Sequence, residues 1–427
     1  MKPTLMYLLT IPQSALWYLR GQLAEMQRRG YETVFVSSVG DGGELAEVSR
    51  QEGVRTFPLE VSREIDPVRD LRSMWQLHQI MLKTRPDIVN FGNPKTGLVG
   101  GIVSALWRVP VRVYTLHGLR LETSVGVKRQ LLVWTERLTM LCAHQVVAVS
   151  PSLRERSLAL GLVSPERIIT LHHGSVNGIR EMRIEHAKVQ ALRLELGLPE
   201  EALVYGFVGR LTRDKGIREL VAAFHHLHQM YPQARLLLVG DFETGDPVDD
   251  TTRHQIETTD TIISAGYASD VVPYYGLIDV LVLPTYREGF PTVALEGAAL
   301  GLPLITTDAT GARDAVQEQV TGLRVAVGDV DDLARAMKRL AHDEPLRRRL
   351  GQQGKAWVQQ DFAQERLWQE WDTLYQQLLA KAQAGRSSHP RSLNGLWWVA
   401  LCTVFVFTLI NLLIRRPSHG LRGYQRG

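Results

Sequence analysis

The sequence predicts an α/β fold built from two doubly wound, mostly parallel sheets that face each other across a cleft. Three observations predict it. Short apolar, β-branched runs alternate with longer amphipathic stretches, the pattern of parallel sheets covered on both faces. A charged, helix-like stretch without a strand, residues 181–199, separates two such series. The length of 427 residues allows two or three domains at roughly 150 residues each.

The first series places strands at residues 4–9, 33–38, 88–91, 111–116 and 145–149. The second places them at 204–208, 235–239, 261–264, 280–283, 303–306 and 323–326. Helical periodicity fills the gaps, as in Ile217, Leu220, Val221, Phe224 and Leu227, which follow i, i+3, i+4, i+7 spacing. No internal repeat of about 20–50 residues interrupts this order. The expected domains are therefore 1–180, a link at 181–199, and 200–355. Helices at 344–360 and 364–380 follow, and the segment 356–382 is expected to return to the first domain.

The end of the chain reads differently. Residues 383–394 are polar and turn-rich, a linker pattern. The 19 residues 396–414 carry no charge, and at 1.5 Å per residue they would span about 28 Å. Trp397 and Trp398 stand at one edge, Arg415 and Arg416 at the other. These features predict a transmembrane helix at 395–414 and a basic tail at 415–427. The alternative is a buried core helix. Arg20 interrupts the start of the chain before a long apolar core can form, so no signal peptide is expected.

Composition excludes several classes. Hydrophobic residues at 44% and charged residues at 22% exclude wholesale disorder. Two cysteines, Cys142 and Cys402, exclude a disulfide scaffold and a multi-cysteine zinc site. They fit a reducing compartment. The net charge of +4 belongs to the tail: residues 381–427 hold seven basic residues and no acid, which leaves 42 basic against 45 acidic residues in the other 380. Nucleic-acid binding by the body loses its compositional support.

Three constellations carry chemistry. In the first, Gly209-Arg210-Leu211-Thr212-Arg213-Asp214-Lys215-Gly216 follows a strand and opens a helix. Gly209 permits a tight turn. Arg210 and Lys215 beside helix-end amides suit a diphosphate, although the spacing is not that of a Walker loop. In the second, Glu288-Gly289-Phe290-Pro291-Thr292-Val293 leads to Glu296. Pro291 is expected as the first helical residue, with the amides of Thr292 and Val293 free to meet an anion. Glu288 and Glu296 would project into one cleft, where carboxylates accept from paired sugar hydroxyls. In the third, His117-Gly118 ends one strand, and Lys95 follows another in Phe91-Gly92-Asn93-Pro94-Lys95. Each of these residues also has a plain reading as a solvated or capping group. His172-His173 ends a further run, but with no third ligand at metal spacing no metal site is expected. No G-x-G-x-x-G follows the first strand, which speaks against a dinucleotide oxidoreductase.

The GR-L-x-x-x-K-G segment at 209–216, followed by the E-x7-E element from Glu288 to Glu296, resembles the retaining family-four glycosyltransferases of the GT-B fold. The resemblance covers residues 1 to about 380. The stretches 117–123 and 286–291 are similar to a bacterial subgroup that builds capsular, exopolysaccharide and lipopolysaccharide repeat units on an undecaprenyl-diphosphate carrier.

The resemblance implies that Arg210 and Lys215 bind a donor diphosphate, that Glu296 holds ribose hydroxyls, and that Glu288 contacts the transferred sugar. Gly209 belongs to the same site. The turn Gly289, Phe290, Pro291, Thr292, Val293 would touch the distal phosphate, His117 would sit beside the reacting sugar, and Val271 in segment 266–271 would edge the nucleobase. It implies a UDP-sugar as co-substrate, no further cofactor and a lipid-linked acceptor, for whose side Gln13 and Lys95 are candidates; the C-terminal apolar run, which is not a common feature of the family, adds the expectation of a body on the cytoplasmic side of the inner membrane. Residues 10–14 (Thr-Ile-Pro-Gln-Ser) depart from the family's glycine-rich loop, and Asn90-Phe91-Gly92-Asn93 departs from the subgroup's His-Thr-His pattern. Alternatives are another GT-B enzyme, such as a nucleotide-sugar 2-epimerase or a sugar-phosphate synthase, or a non-catalytic membrane scaffold.

Overall fold

The computed structural model describes residues 2–61 and 66–388. Seven parallel strands form the first sheet: β1 (Thr4–Leu8), β2 (Glu32–Ser37), β3 (Arg55–Pro58), β4 (Ile88–Gly92), β5 (Val111–Leu116), β6 (Gln145–Ala148) and β7 (Ile168–Ile169), in the order β3-β2-β1-β4-β5-β6-β7. Six form the second: β8 (Leu203–Val208), β9 (Ala234–Val239), β10 (Ile262–Gly266), β11 (Val280–Leu283), β12 (Leu304–Thr307) and β13 (Gly322–Val325), in the order β10-β9-β8-β11-β12-β13. The central strands are buried along their length, which is why they read as unbroken apolar runs. Two edge strands are not visible in the apolar pattern. β3 carries Arg55, Thr56 and Pro58 and is half exposed, and β7 is two residues long.

Strand order reverses between β1 and β4, where Leu5 pairs with Ile88, and between β8 and β11, where Tyr205 pairs with Val280. Crevices at the carboxyl ends of such reversals are where open α/β sheets bind ligands. The loops that leave β1, β4, β8 and β11 carry most of the predicted site residues.

The helix Glu344–Asp361 packs against the second domain's helix Thr292–Ala299. The chain then crosses over: the Ile179 amide donates to the Phe362 carbonyl at 2.7 Å, and the helix Gln364–Ser388 lies on the first domain. Its buried Leu367, Trp368, Trp371, Leu374, Tyr375 and Leu378 follow helical spacing. Polar bonds fix the contact. Asn90 donates to the Tyr375 hydroxyl at 2.7 Å, Tyr31 donates to Asp372 at 2.8 Å, and Trp368 donates to Asn177 at 2.7 Å. Asn90, in the segment that departs from the subgroup pattern, is thereby committed to holding this helix.

One part of the expected fold class is corrected. Among the described residues no helix is long and apolar enough to cross a membrane. The last described helix is amphipathic, with Arg366 and Lys381 on its exposed side, and it uses its apolar face against its own first domain. The predicted transmembrane helix, and the inner-membrane location that rested on it, are withdrawn. The segment 395–414 itself lies outside the described residues.

Candidate functional site

The second-domain side is built from two interlocked loops. β8 ends at Gly209, whose φ is +146° and whose amide donates to the Val239 carbonyl at 2.9 Å. A short turn, Arg213–Lys215, follows, and Gly216 with φ +72° starts the helix Ile217–His228. A Cβ at Gly216 would lie 2.0 Å from the Pro284 carbonyl oxygen, so only glycine lets this turn sit against the end of β11. The Tyr286 amide donates to the Asp214 carbonyl at 2.9 Å, and the Arg287 guanidinium donates to the Asp214 carboxylate at 2.7 Å. Burial acts to raise the Asp214 carboxyl, but the Thr212 hydroxyl, Arg287, Lys215 and Arg210 outweigh it and hold the group below its ordinary value.

On this frame Lys215 forms an ion pair with Glu288, and both are largely buried. Two residues distant in sequence are thus brought together by the adjacency of β8 and β11. Arg210 pairs with Glu243. Glu296, in the helix Thr292–Ala299, accepts from the Tyr275 hydroxyl at 2.7 Å. Burial pushes its carboxyl up, against the opposing pull of Tyr275 and Arg180. The helix begins at Thr292, one residue later than predicted, because Pro291 keeps an extended ψ of 104° and acts as its N-cap. Phe290 is buried against Phe362, with ring centroids 5.5 Å apart, so its side chain packs rather than facing the cleft.

The domains meet along a backbone seam. A Cβ at Gly289 would lie 2.1 Å from the His117 carbonyl oxygen, and one at Gly311 would lie 2.5 Å from that of Glu288. The Glu288 amide donates to the Thr310 carbonyl at 2.8 Å. Across the seam, Thr310 donates to Glu122 at 2.8 Å, Arg287 donates to Thr123 at 3.0 Å, and Ser152 donates its amide to Asp314 at 2.9 Å. His117 therefore comes beside the Glu288–Gly289 turn. Burial lowers its pKa to about 4, so the imidazole is neutral at physiological pH.

A cavity of about 2790 Å³ lies between the domains. Among the predicted residues, Gly209, Arg210, Val271, Gln13 and Lys95 line it. Lys215, Glu288, Glu296, His117 and the turn 289–293 are not in its lining, though their partners Asp214 and Arg287 are. Gln13 donates to Glu44 at 2.7 Å, and Lys95 forms an ion pair with Asp70 at 2.7 Å.

Several residues of the site escaped the sequence reading. Asp214 and Arg287 stand inside the motifs, but only the fold shows them as partners. Tyr18, on the first domain, also lines the cavity. Its hydroxyl is raised by desolvation, with the charge of Glu288 acting in the same direction. No local sequence signal marks it. Among the described residues one group of metal-capable side chains comes together, His172, His173 and Asp361, with ligand atoms within 4.8 Å of one another. Asp361, from the far end of the fold, is the third partner that sequence spacing could not supply. The group lies outside the cavity lining.

Two doubly wound domains, joined by a glycine seam with cations and acids at their switch points, define the GT-B class. The chain belongs to the family-four-like glycosyltransferases of that class: residues 15–174 match the glycosyl transferase 4-like domain and residues 189–357 match the glycosyl transferases group 1. It is 33% identical over 379 residues to the capsular polysaccharide biosynthesis glycosyltransferase CapM of Staphylococcus aureus, which covers 88% of this chain and 98% of that one. It is 25% identical to the UDP-Gal:alpha-D-GlcNAc-diphosphoundecaprenol alpha-1,3-galactosyltransferase of Escherichia coli, over 69% of this chain and 77% of that one. In fold it is similar to HepE from Anabaena, solved in complex with UDP and glucose, with a TM-score of 0.73, 19% identity, and coverage of 88% and 99%.

Proposed function

We propose that this glycosyltransferase moves a hexose or N-acetylhexosamine from a UDP-sugar to a lipid-linked saccharide in cell-surface polysaccharide assembly, with the anomeric configuration retained. The observation that carries the reading is the Lys215–Glu288 pair, which joins the two motif loops at the switch point of the second sheet. The names of the Staphylococcus aureus and Escherichia coli relatives support the capsular, UDP-sugar and lipid-diphosphate parts.

In this mechanism the sugar–phosphate bond loosens toward an oxocarbenium-like state, and negative charge builds on the leaving diphosphate. Arg210, Lys215 and the amides of Thr292 and Val293 stabilise that charge. A diphosphate competes with Glu243 for Arg210. The fixed side-chain cations take the part a divalent ion plays elsewhere, so chelators should leave the rate unchanged. Glu296 accepts from the ribose hydroxyls and Glu288 from the sugar. The leaving phosphate takes the acceptor's proton on the same face, so no separate base is needed. Attack by Glu288 in a double displacement is the weaker route, because its carboxylate is already engaged by Lys215. Neutral His117 donates a hydrogen bond to the sugar.

The test is a panel of nucleotide sugars with a lipid-extract acceptor, read by the mass of the lipid product and the configuration of the new linkage. Transfer that vanishes in Lys215→Ala and Glu296→Ala supports the reading. Unchanged turnover in both variants, or an epimerised nucleotide sugar without transfer, defeats it.

A further inference from the structure

Away from the cleft, two histidines and an aspartate meet where the chain crosses from the second domain back to the first. His172 and His173 are the central residues of a tight turn that follows β7, closed by the Gly174 amide donating to the Leu171 carbonyl at 2.8 Å. His172 has a φ of +46°, which few non-glycine residues adopt. In extended backbone, neighbouring side chains point to opposite faces. Here the turn brings both rings together, with centroids 4.2 Å apart.

Asp361 ends the helix Glu344–Asp361 and faces them. Its Oδ1 lies 3.9 Å from His172 Nε2, and its Oδ2 lies 3.8 Å from His173 Nε2. Both gaps are too long for a hydrogen bond. Both are within reach of two bonds of about 2.0–2.2 Å to one shared ion. His172 Nε2 is buried and has no hydrogen-bond partner among the described residues, a state that costs free energy unless an ion or water meets the atom. The backbone holds both sides in place. The Ser175 amide donates to the Val149 carbonyl at 2.6 Å, and the Ile179 amide donates to the Phe362 carbonyl at 2.7 Å. The Phe362 ring lies against His173, centroids 6.2 Å apart, while His173 itself is half exposed and leaves a path for an ion. One cation competes: Arg366 Nη1 is 3.7 Å from Asp361 Oδ1, on a side chain that is half exposed. Glu370 is near enough to add its negative charge at His172.

We propose that His172, His173 and Asp361 bind a divalent ion of the zinc class, which ties the end of the helix Glu344–Asp361 to the turn after β7. Two imidazoles and one carboxylate are a zinc ligand set, with the fourth position left to water. Magnesium, which takes oxygen ligands in a strict octahedron, does not suit it. Arg366 turns to solvent when the ion takes the Asp361 carboxylate. None of the three ligands lines the cavity, so the ion braces the crossover and takes no part in transfer. The ligands meet only in the folded chain, so binding stabilises that state. The inference stands apart from the transferase reading and does not depend on it.

The test is calorimetric titration of the full-length protein, stripped with a chelator, with Zn2+ as probe and Mg2+ as control, followed by thermal unfolding of the same samples. Zinc should bind and magnesium should not displace it. His173→Ala and Asp361→Asn should each weaken zinc binding at least about tenfold, since even the groups that orient metal ligands are worth that much. His226→Ala, which removes a histidine facing Asp331 at 3.9 Å without a third ligand, should leave it unchanged. Zinc at a hundredfold excess over its Kd should raise the Tm of the unmodified protein by about 3 °C or more and leave that of the two ligand variants where it was. X-ray absorption of the zinc-loaded unmodified protein should show two imidazole ligands. Zinc that binds both variants as tightly as the unmodified protein, that shows fewer than two imidazoles, or that binds without raising Tm overturns the proposal.

Discussion

The two walls of the cleft are held in different ways. On the second-domain side, in the lining and directly behind it, the candidate groups are tied to other loops: Arg287 to Asp214, Lys215 to Glu288, Glu296 to Tyr275, with Gly216 packed against the Pro284 carbonyl. On the first-domain wall Gln13 and Lys95 pair with Glu44 and Asp70 of their own domain. Around them lie apolar helix faces and the exposed Trp17. A wall whose charges are fixed before the ligand arrives suits a constant group in which charge develops during reaction, since preorganised dipoles cost nothing to reorient. A wall whose ties lie between separate helices, as Lys95 to Asp70, can change its apolar lining without moving the second-domain loops. On the proposed reading the nucleotide diphosphate lies on the second-domain side and the acceptor on the first.

The sharpest way to break that assignment is to remove one cation from each wall. Lys215→Ala should lower kcat by about 10²–10³-fold, the loss of one transition-state charge contact at roughly 3–4 kcal/mol. Lys95→Ala should instead raise the KM of the acceptor and leave that of the donor alone. Initial rates with each substrate varied in turn decide it. A Lys95→Ala variant whose loss falls entirely on the donor would reverse the roles of the walls.

Next in size is the seam. Gly289→Ala sets a methyl group 2.1 Å from the His117 carbonyl oxygen and 3.2 Å from Val149 Cγ2, and the nearest obstacle is backbone. The domains must part by the missing distance. The expected result is a loss of about a hundredfold in kcat/KM, in line with the cost of an ångström of misplacement, while each domain keeps its fold. Circular dichroism should be unchanged and small-angle scattering should report a larger radius of gyration. Gly354→Ala, outside the cavity lining and with nothing nearer than 3.6 Å to the new Cβ, is the control.

This difference between the walls also explains what the sequence disclosed. The strand–helix alternation, the two sheets and the motif loops were legible because buried parallel strands write themselves as apolar runs and a fixed phosphate site repeats its spacing. That spacing singles out Arg210, Lys215, Glu288 and Glu296 as candidates. It does not single out the partners that make them a site: Asp214 meets Arg287, and Gly311 meets Glu288, only because β11 lies between β8 and β12. On the first domain Tyr18 carries no motif, and only the fold shows that Asn90, in the segment that departs from the subgroup pattern, holds Tyr375. The uncharged run at 395–414 drew the reading toward a membrane helix, whereas the described carboxyl helix spends its apolar face on the first domain.

A pH profile sharpens the comparison at moderate effect. Glu296 must be ionised to accept from two hydroxyls, and burial raises its pKa. Its proton therefore returns at a higher pH than for an ordinary carboxylate, so kcat/KM for the donor should fall as pH falls, beginning above the usual range. Glu296→Gln should flatten that limb and raise the donor KM about tenfold, the worth of one charged hydrogen bond. His117, lowered to about 4, contributes no limb near neutral pH. Its effect is on stability: the unfolded chain takes up a proton near pH 6.5, about the free-histidine value, while the folded chain stays neutral, so stability falls as pH drops from there toward 4. His117→Gln should lessen that fall in a urea titration series.

The smallest effect on catalysis is expected at Asn90. It is buried, donates to Tyr375 at 2.7 Å and accepts from Thr115 at 2.7 Å. Asn90→Ala leaves both hydroxyls short of a partner in the interior and should cost about 1–3 kcal/mol of stability, read as a lower urea midpoint. The rate per folded molecule should stay within about twofold, because truncating a buried brace acts on the population of folded chains rather than on charge in the transition state. If the rate instead falls as far as in Lys215→Ala, Asn90 reaches the chemistry itself, and the first-domain wall is not the passive side that its local pairings describe.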